Sequence, residues 1–426
     1  MSKIQKIIGD VELNRDLILL LVIGGLYSLS IALSNTFVNV YLWKQSGEFV
    51  DIGLYNLFST IFQPLTFIVA GRWAKKIDRV IVLRLGVIFL AVFFITVLFL
   101  GENASNYIVL LGSLIGIGYG FYWLAFNVLT FEITEPDTRD FFNGFLGILV
   151  STAGMVGPIV AGFIISRLEN FKGYTVIFTI SLLLFSCAVI LSMFLKRRQA
   201  KGDYILGRIY KERKRNLNWR YITNAHFFQG LREGTFVFVI SVFVYITTNS
   251  ELALGTFGLV NSVVAFFGYY FATRLITKKM RKKAILIGGL ALYFSIYMVI
   301  FHMTYTNLLI YAVLIGIAYP TLLVPYISMT YDVIGKGWNA KKARIEYIVV
   351  REIFLNLGRI VSILSFILVV KYFNPKDSLP YLLAILGTGH ALIYPFIKKV
   401  RLQENNRTME QEKRIRKPTL ADGGNG

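Results

Sequence analysis

The chain is short of cysteine, of charge and of acid. Its 426 residues include one cysteine, Cys187, so an intramolecular disulfide framework and any multi-cysteine metal site are excluded. That cysteine lies in Phe185-Ser186-Cys187-Ala188-Val189 and reads as a small side chain buried in the membrane. Charged residues make up 16% of the chain and hydrophobic residues 55%, whereas a soluble domain carries about a quarter charged residues. With a mean hydropathy of +0.61, a soluble enzyme, a disordered chain and a coiled coil all fit poorly. No Gly-x-x-x-x-Gly-Lys-Ser/Thr motif occurs, which disfavours an ATP-driven pump in one chain. The run Gly116-x-Gly118-x-Gly120 follows no strand, so it is not read as a nucleotide loop.

Long apolar runs are what the chain does have. A bilayer core of about 30 Å needs roughly 20 apolar helical residues per crossing. Twelve runs meet this criterion, at 17–42, 51–74, 80–100, 106–131, 141–167, 173–195, 220–247, 253–276, 284–303, 306–331, 345–372 and 379–397. Lipid admits only helices or closed barrels, and these runs are too long for barrel strands. The expected fold class is an all-α polytopic membrane protein with twelve transmembrane helices.

The 45 Lys and Arg face only 24 Asp and Glu, for a net charge of +21. Such an excess fits nucleic acid or an anionic membrane surface. With both termini placed on one side, only Lys44, Arg167, Lys172, Lys371 and Lys376 fall outside, and Arg232, Arg351 and Arg359 fall within helices. The remaining 37 lie on the side of the termini. The positive-inside rule makes that side cytoplasmic, and contact with anionic lipid then accounts for the charge without nucleic acid. The arm Met1 to Asp16 has no cleavable signal pattern, so the first run is expected to be a retained anchor.

The longest loop divides the chain into a six-helix lobe over 1–195, a basic cytoplasmic linker over 196–219, a second six-helix lobe over 220–400 and a polar tail over 401–426 expected to be disordered. The halves repeat: Leu114-Ile-Gly-Ile-Gly-Tyr119-Gly120 matches Leu314-Ile-Gly-Ile-Ala-Tyr319-Pro320, and Ala70-Gly71-Arg72 matches Ala272-Thr273-Arg274. Duplicated six-helix halves joined by a basic linker are the build of two-lobed secondary transporters.

The loop Gly71-Arg-Trp-Ala-Lys-Lys-Ile-Asp78-Arg79 resembles the helix 2–3 signature of the major facilitator superfamily, glycine-x-leucine-alanine-aspartate-arginine-x-glycine-arginine. Gly71, Ala74 and Arg79 fall in register, while Lys75 stands at the aspartate position and Asp78 at the second glycine. The resemblance implies a gating role at the cytoplasmic side that has moved to Asp78 or vanished. The fifth run carries Gly144, Ala153, Gly157-Pro158 and Ala161-Gly162 and resembles the helix 5 motif of the drug/proton antiporters, with alanine at two glycine positions. Small residues at this spacing allow close helix approach, and Pro158 bends the helix. In helix 4 the antiporters' arginine position is occupied by Gly112.

Intramembrane charge is the sharpest chemical signal, because a charge at mid-bilayer costs at least ~2.5–3.5 kcal/mol and needs a cavity or a partner. On the seventh helix His226, Gln229 and Glu233 share one face, bordered by Arg232; the eleventh carries Arg351, Glu352 and Arg359. Glu233 and Arg359 fall at similar depth. Pairing of Arg232 with Glu352, or of Glu233 with Arg351 or Arg359, would lock packing. Alternatively, Glu233 is a proton-titrating carboxylate tuned by Arg232 or Arg359, with His226 as relay. In superfamily members helices 1, 4, 7 and 10 line the central cavity, which makes Tyr27, Asn35, Tyr119, Tyr122, Trp123, Asn127 and Gln229 candidate substrate contacts. Aromatic walls with few polar groups suit an amphipathic ligand.

These readings lead to an expected monomeric transporter of a bacterial cytoplasmic membrane, similar to uncharacterised Gram-positive members of the superfamily. It is expected to work by alternating access and to exchange protons for an exported amphipathic molecule, as an antiporter for efflux that uses the proton gradient and no cofactor or metal. The alternatives are a flippase for a lipid-linked or glycolipid substrate, metabolite uptake, and a non-transporting sensor or scaffold built on the basic loop.

Overall fold

The computed structural model describes residues 14–133, 136–197 and 202–401; most of the N-terminal arm and the tail from 402 onward lie outside them. The helices are α1 (Arg15–Ser46), α2 (Phe49–Lys76), α3 (Arg79–Leu100), α4 (Ile108–Ile133), α5 (Pro136–Arg167), α6 (Lys172–Met193), α7 (Leu217–Thr248), α8 (Glu251–Leu275), α9 (Arg281–Ile300), α10 (Tyr305–Gly335), α11 (Arg344–Tyr372) and α12 (Pro375–Lys399), with a short linker helix at Leu206–Glu212. Eleven helical stretches are long and apolar enough to cross a membrane. One of them, 79–130, spans 52 residues, and a tight 3-10 turn at Gly101–Tyr107 splits it into α3 and α4, giving twelve passes among the described residues.

Helix is what these sequences must form in lipid, because only intrahelical bonding satisfies the backbone there. Polar side chains cap the start of several of these helices. Asn14 caps α1 by accepting from the Leu17 N–H at 2.8 Å, and Asn216 caps α7 by accepting from the Trp219 N–H at 3.0 Å. Ser250, Thr304 and Asn374 do the same for α8, α10 and α12.

Helices α1–α6 form one lobe and α7–α12 the other. Within the first lobe α4 packs on α2 and α3, and α1 on α6; within the second α7 packs on α11 and α10 on α8 and α9; the lobes meet along α2–α11 and α5–α8. Polar side chains join helices inside each lobe, where lipid offers no competing partner. Ser30 and Ser181 donate to each other's carbonyls at 3.1 and 3.2 Å, tying α1 to α6. Between α7 and α11 the Thr235 hydroxyl donates to the Ser362 carbonyl at 3.1 Å, Ser362 Oγ accepts from the Thr235 N–H at 3.2 Å, and the two hydroxyls lie 2.8 Å apart.

The linker, from Gly202 onward, is docked across the end of the bundle rather than solvated. The Gly202 N–H donates to the Lys75 carbonyl at 3.2 Å, and Ile209 is fully buried. The Arg213 guanidinium lies 3.9 Å from the Phe354 ring centroid on α11 and donates to Thr223 and Asn224 on α7 at 2.8 and 2.7 Å. Cys187 sits on the exposed outer face of α6.

The tightest crossing is that of α7 and α11. A Cβ on Gly230 would overlap the Leu355 carbonyl, one on Gly358 would overlap the Phe227 carbonyl, and one on Gly234 would lie 2.6 Å from the Arg359 carbonyl. The two backbones touch because these three residues have no side chain. Gly230→Ala or Gly358→Ala must therefore push the helices apart. Each is expected to cost at least about 1–3 kcal/mol, read as a lowered Tm and a loss of monodisperse protein in detergent. Gly387→Ala, whose added carbon meets nothing nearer than 3.6 Å, is the control and is expected to be tolerated.

Candidate functional site

Between the lobes lies a cavity of about 630 Å³. Its walls come from α1 (Asn35, Thr36), α5 (Gly154, Pro158), α7 (Arg232, Glu233, Phe236), α8 (Asn261, Ser262, Tyr269), α10 (Tyr311, Tyr319) and α11 (Arg359). Most of the rest is aliphatic or aromatic, so the charged groups are few and concentrated on one side.

Glu233 is the centre of that side. It is 7% exposed, and three groups donate to its carboxylate. Arg359 Nη2 reaches Oε2 at 2.7 Å, Gln229 Nε2 reaches Oε1 at 2.8 Å, and Tyr319 Oη reaches Oε1 at 3.0 Å. Gln229 can do so because it sits one helical turn before Glu233 on the same face. Arg359 can do so because the glycine crossing of α7 and α11 brings its helix within reach. His390 of α12 adds a fourth neighbour: its Nε2 lies 3.9 Å from Glu233 Oε1, and neither ring nitrogen has a hydrogen-bond partner. Three donors, one of them a guanidinium, thus converge on one buried carboxylate.

Arg232 sits beside this cluster but outside it. Its Nη2 donates to Tyr311 Oη at 3.2 Å, and its guanidinium lies 4.6 Å from the Phe236 ring centroid. It does not pair with Glu352. That carboxylate is taken by its own neighbour Arg351 at 2.5 Å, a contact between adjacent residues that helix spacing does not suggest. His226 does not reach Glu233 either; its Nδ1 lies 2.6 Å from Tyr326 Oη and 2.9 Å from the Ile222 carbonyl. The imidazole near the carboxylate is that of His390.

The aromatic candidates divide. Tyr119 donates to Asn35 Oδ1 at 3.1 Å, and Asn35 lines the cavity. Tyr27 and Tyr122 are buried and stack at 3.8 Å with their rings 6° from parallel, inside the first lobe. Trp123 packs edge-on against Tyr27 and is itself 39% exposed, and Asn127 is half-buried; neither lines the cavity. The aromatic stripe of α1 and α4 thus fills its own lobe. Tyr119 and Tyr319 occupy matching places in the sequence repeat and make matching bonds, one to Asn35 on α1 and the other to Glu233 on α7.

Ion pairs join the lobes at both ends. At the end that carries the linker, Lys75 of α2 pairs with the fully buried Glu346 in the first turn of α11 and donates to the Lys342 carbonyl at 2.8 Å. Glu346 also accepts from the Ile205 N–H at 3.1 Å, and Gly71 leaves room for Tyr204 and Val349. Among the described residues Asp78 makes no cross-lobe hydrogen bond or ion pair; it caps α3 by accepting from the Val80 N–H at 2.7 Å, while Arg79 pairs with Glu132 at 2.6 Å. The inter-lobe role falls to Lys75, with the acid on the opposite lobe. At the other end, Glu251 of α8 pairs with Lys44 of α1 at 2.7 Å and accepts from Tyr174 Oη at 3.0 Å.

The small residues of α5 pack where this second end closes. Gly157 abuts Ala32 of α1, the Pro158 carbonyl meets Gly255, and a Cβ on Gly162 would lie 2.5 Å from the Glu251 carbonyl. Gly144 is within α5, but its surroundings lie outside the described side chains.

A sequence model of the Major Facilitator Superfamily matches residues 20–363. An uncharacterised protein of Bacillus subtilis, YqgE, is 65% identical over 428 residues, covering 99% of this chain and all of that one. A protein of Geobacillus stearothermophilus, described as uncharacterised and lying in a sodM 3′ region, is 60% identical over 206 residues, which is 48% of this chain and 96% of that one. Among solved structures, the human organic anion transporter MFSD10 (TETRAN) superposes with a TM-score of 0.66 at 14% identity, covering 90% of this chain and 99% of that one. At that identity the likeness concerns the fold.

If Lys75 and Glu346 hold the lobes together as a pair, Lys75→Glu should lower Tm and Glu346→Lys should do the same. The double exchange should recover most of the loss. A double-mutant cycle is expected to return a coupling of roughly 0.5–3 kcal/mol; additive losses would mean that the pair contributes nothing.

Proposed function

The chain belongs to the Major Facilitator Superfamily, and from that premise we propose that it is a proton-coupled transporter that exports an amphipathic small molecule by alternating access. Family and fold support a secondary transporter spanning the membrane; proton coupling, direction and cargo are our reading of the cavity. The observation that carries it is Glu233, a buried carboxylate in the inter-lobe cavity whose charge is balanced by one cation on a different helix. Such a group can exchange its partner for a proton.

In this reading the basic end faces the cytoplasm of a bacterial cell. With the Arg359–Glu233 pair made, α7 and α11 are cross-linked beside the cavity. A proton on Glu233 releases Arg359, and the freed guanidinium and the Tyr319 hydroxyl then seek other partners within the cavity. The groups facing the Glu233 carboxylate are Arg359, Gln229, Tyr319 and His390, so its protonation is felt by α7, α10, α11 and α12 together. Alternating access requires that the Lys75–Glu346 and Lys44–Glu251 contacts open in turn, one on each side of the cavity. Export is favoured by the resemblance of α5 to the antiporters and by its tight seating on α1 and α8 at the end closed by Glu251.

The test is flux in proteoliposomes under an imposed pH gradient, with naphthyl amphipaths of each charge as probes. Glu233→Gln is expected to lose pH-gradient-driven flux by at least about tenfold, since a neutral amide cannot exchange a proton, while substrate–substrate counterflow persists. Full gradient-driven flux in this variant would sink the proposed coupling.

A further inference from the structure

Of the three intramembrane arginines, two pair with acids, Arg359 with Glu233 and Arg351 with Glu352, and the third does not. Arg232 is 6% exposed, and no carboxylate lies within ion-pair distance of it among the described residues. Among the described residues its only polar contact is the Tyr311 phenol, its Nε is buried without a partner, and one face is covered by Phe236. An uncompensated guanidinium at this depth is costly, and a protein with no use for it would be more stable with an apolar side chain there.

Arg232 is also a wall of the cavity, and the charged residues lining that cavity are Arg232, Arg359 and Glu233. Two cations and one anion leave a net charge of +1. We propose that the missing anion is the substrate's own: the cargo is a monoanionic amphipath whose acidic group is held by Arg232. This assignment rests on the transport reading above and specifies its substrate class.

The chemistry of the pair fits this role. A guanidinium presents parallel N–H donors to a carboxylate or phosphate. Tyr311 accepts from Arg232, which leaves its own hydroxyl hydrogen free to donate, so the two side chains offer donors from α7 and α10 to one acidic group. Beyond them the wall is Phe236, Ile240 and Phe257, a surface for an apolar body. A cationic amphipath would meet a like charge in place of a counterion, and a neutral one would leave Arg232 unpaired.

Binding to the purified full chain tests this without a pH gradient. The readout is the ligand-dependent rise in Tm. The anions are naphthylacetate, dodecanoate and lysophosphatidylglycerol, set against naphthylacetamide and naphthylmethylamine. One or more anions should stabilise the wild type, and the amide and the amine should not. Arg232→Gln should weaken anion binding at least about tenfold, and Arg232→Lys should recover part of it. Because Arg232→Gln removes an unpaired buried charge, its ligand-free Tm should equal or exceed that of the wild type, so loss of binding is not loss of fold. Stabilisation by lysophosphatidylglycerol alone assigns the site to a lipid headgroup, and stabilisation by the soluble anions to a free solute. Absence of Arg232-dependent, anion-selective stabilisation across the panel overturns the proposal. Anion binding is read here as Tm without a pH gradient, so failure of the proton-coupling reading would show in flux and leave this result standing.

Discussion

The contact between α7 and α11 is the constraint on which the cavity depends. Gly230, Gly234 and Gly358 remove the side chains that would otherwise space the two helices. Helices packed through ordinary side chains lie 8–10 Å apart between axes; at this crossing backbone meets backbone instead. Two consequences follow directly. The hydroxyls of Thr235 and Ser362 come within 2.8 Å, and Arg359 meets Glu233 from the neighbouring helix at 2.7 Å. A polar network that would be costly in hydrocarbon is thereby closed on itself within a single lobe.

The network is nonetheless not sealed within α7 and α11. Tyr319 comes from α10 and His390 from α12, so four helices of one lobe converge on one carboxylate. The opposite lobe presents Asn35 and Tyr119, a neutral version of the same arrangement. The two halves share the tyrosine at matching places of the repeat but differ in its acceptor, asparagine in one and glutamate in the other. That divergence concentrates the charge in the second lobe and leaves the first to form the apolar and neutral polar side of the cavity.

How much of this the sequence revealed depends on which partners share a helix. Helical periodicity placed Gln229 and Glu233 on one face, and depth along the chain brought Glu233 to the level of Arg359. The distribution of Lys and Arg separated the orienting charges from the three intramembrane arginines. Periodicity cannot say which neighbour a face meets. His390 was therefore invisible as a neighbour of Glu233, and Tyr27 and Tyr122 looked like cavity lining when they stack on each other inside their lobe. A signal for Tyr319 did exist, in its alignment with Tyr119 across the repeat. The neighbouring Arg351 and Glu352 point the other way: side chains one residue apart do not normally face each other on a helix, yet long side chains close that gap.

The inter-lobe ion pairs show why a motif's geometry can outlast its residues. The family's loop places an acid where this chain has Lys75, so the residue type alone suggests that the contact was lost or had moved to Asp78. Asp78 is instead occupied with the helix N-terminus of α3. The contact persists at Lys75 because its partner is an acid, Glu346, in the first turn of α11. A carboxylate there is also favoured by the helix dipole, and Ile205 of the linker donates to the same group. Opening that end must therefore disturb the linker as well as the two lobes. The opposite end repeats the polarity, with Lys44 from the first lobe and Glu251 from the second. Charge of one sign on each lobe at both ends lets the same two bodies attract whichever end is closing, so neither end needs a contact the other lacks. Lys44 has a phenol beside its carboxylate partner, and Lys75 has a backbone amide beside its own. Under the proposed alternating access, the balance between the two open forms would rest on these secondary donors and on the charge state of the cavity between them.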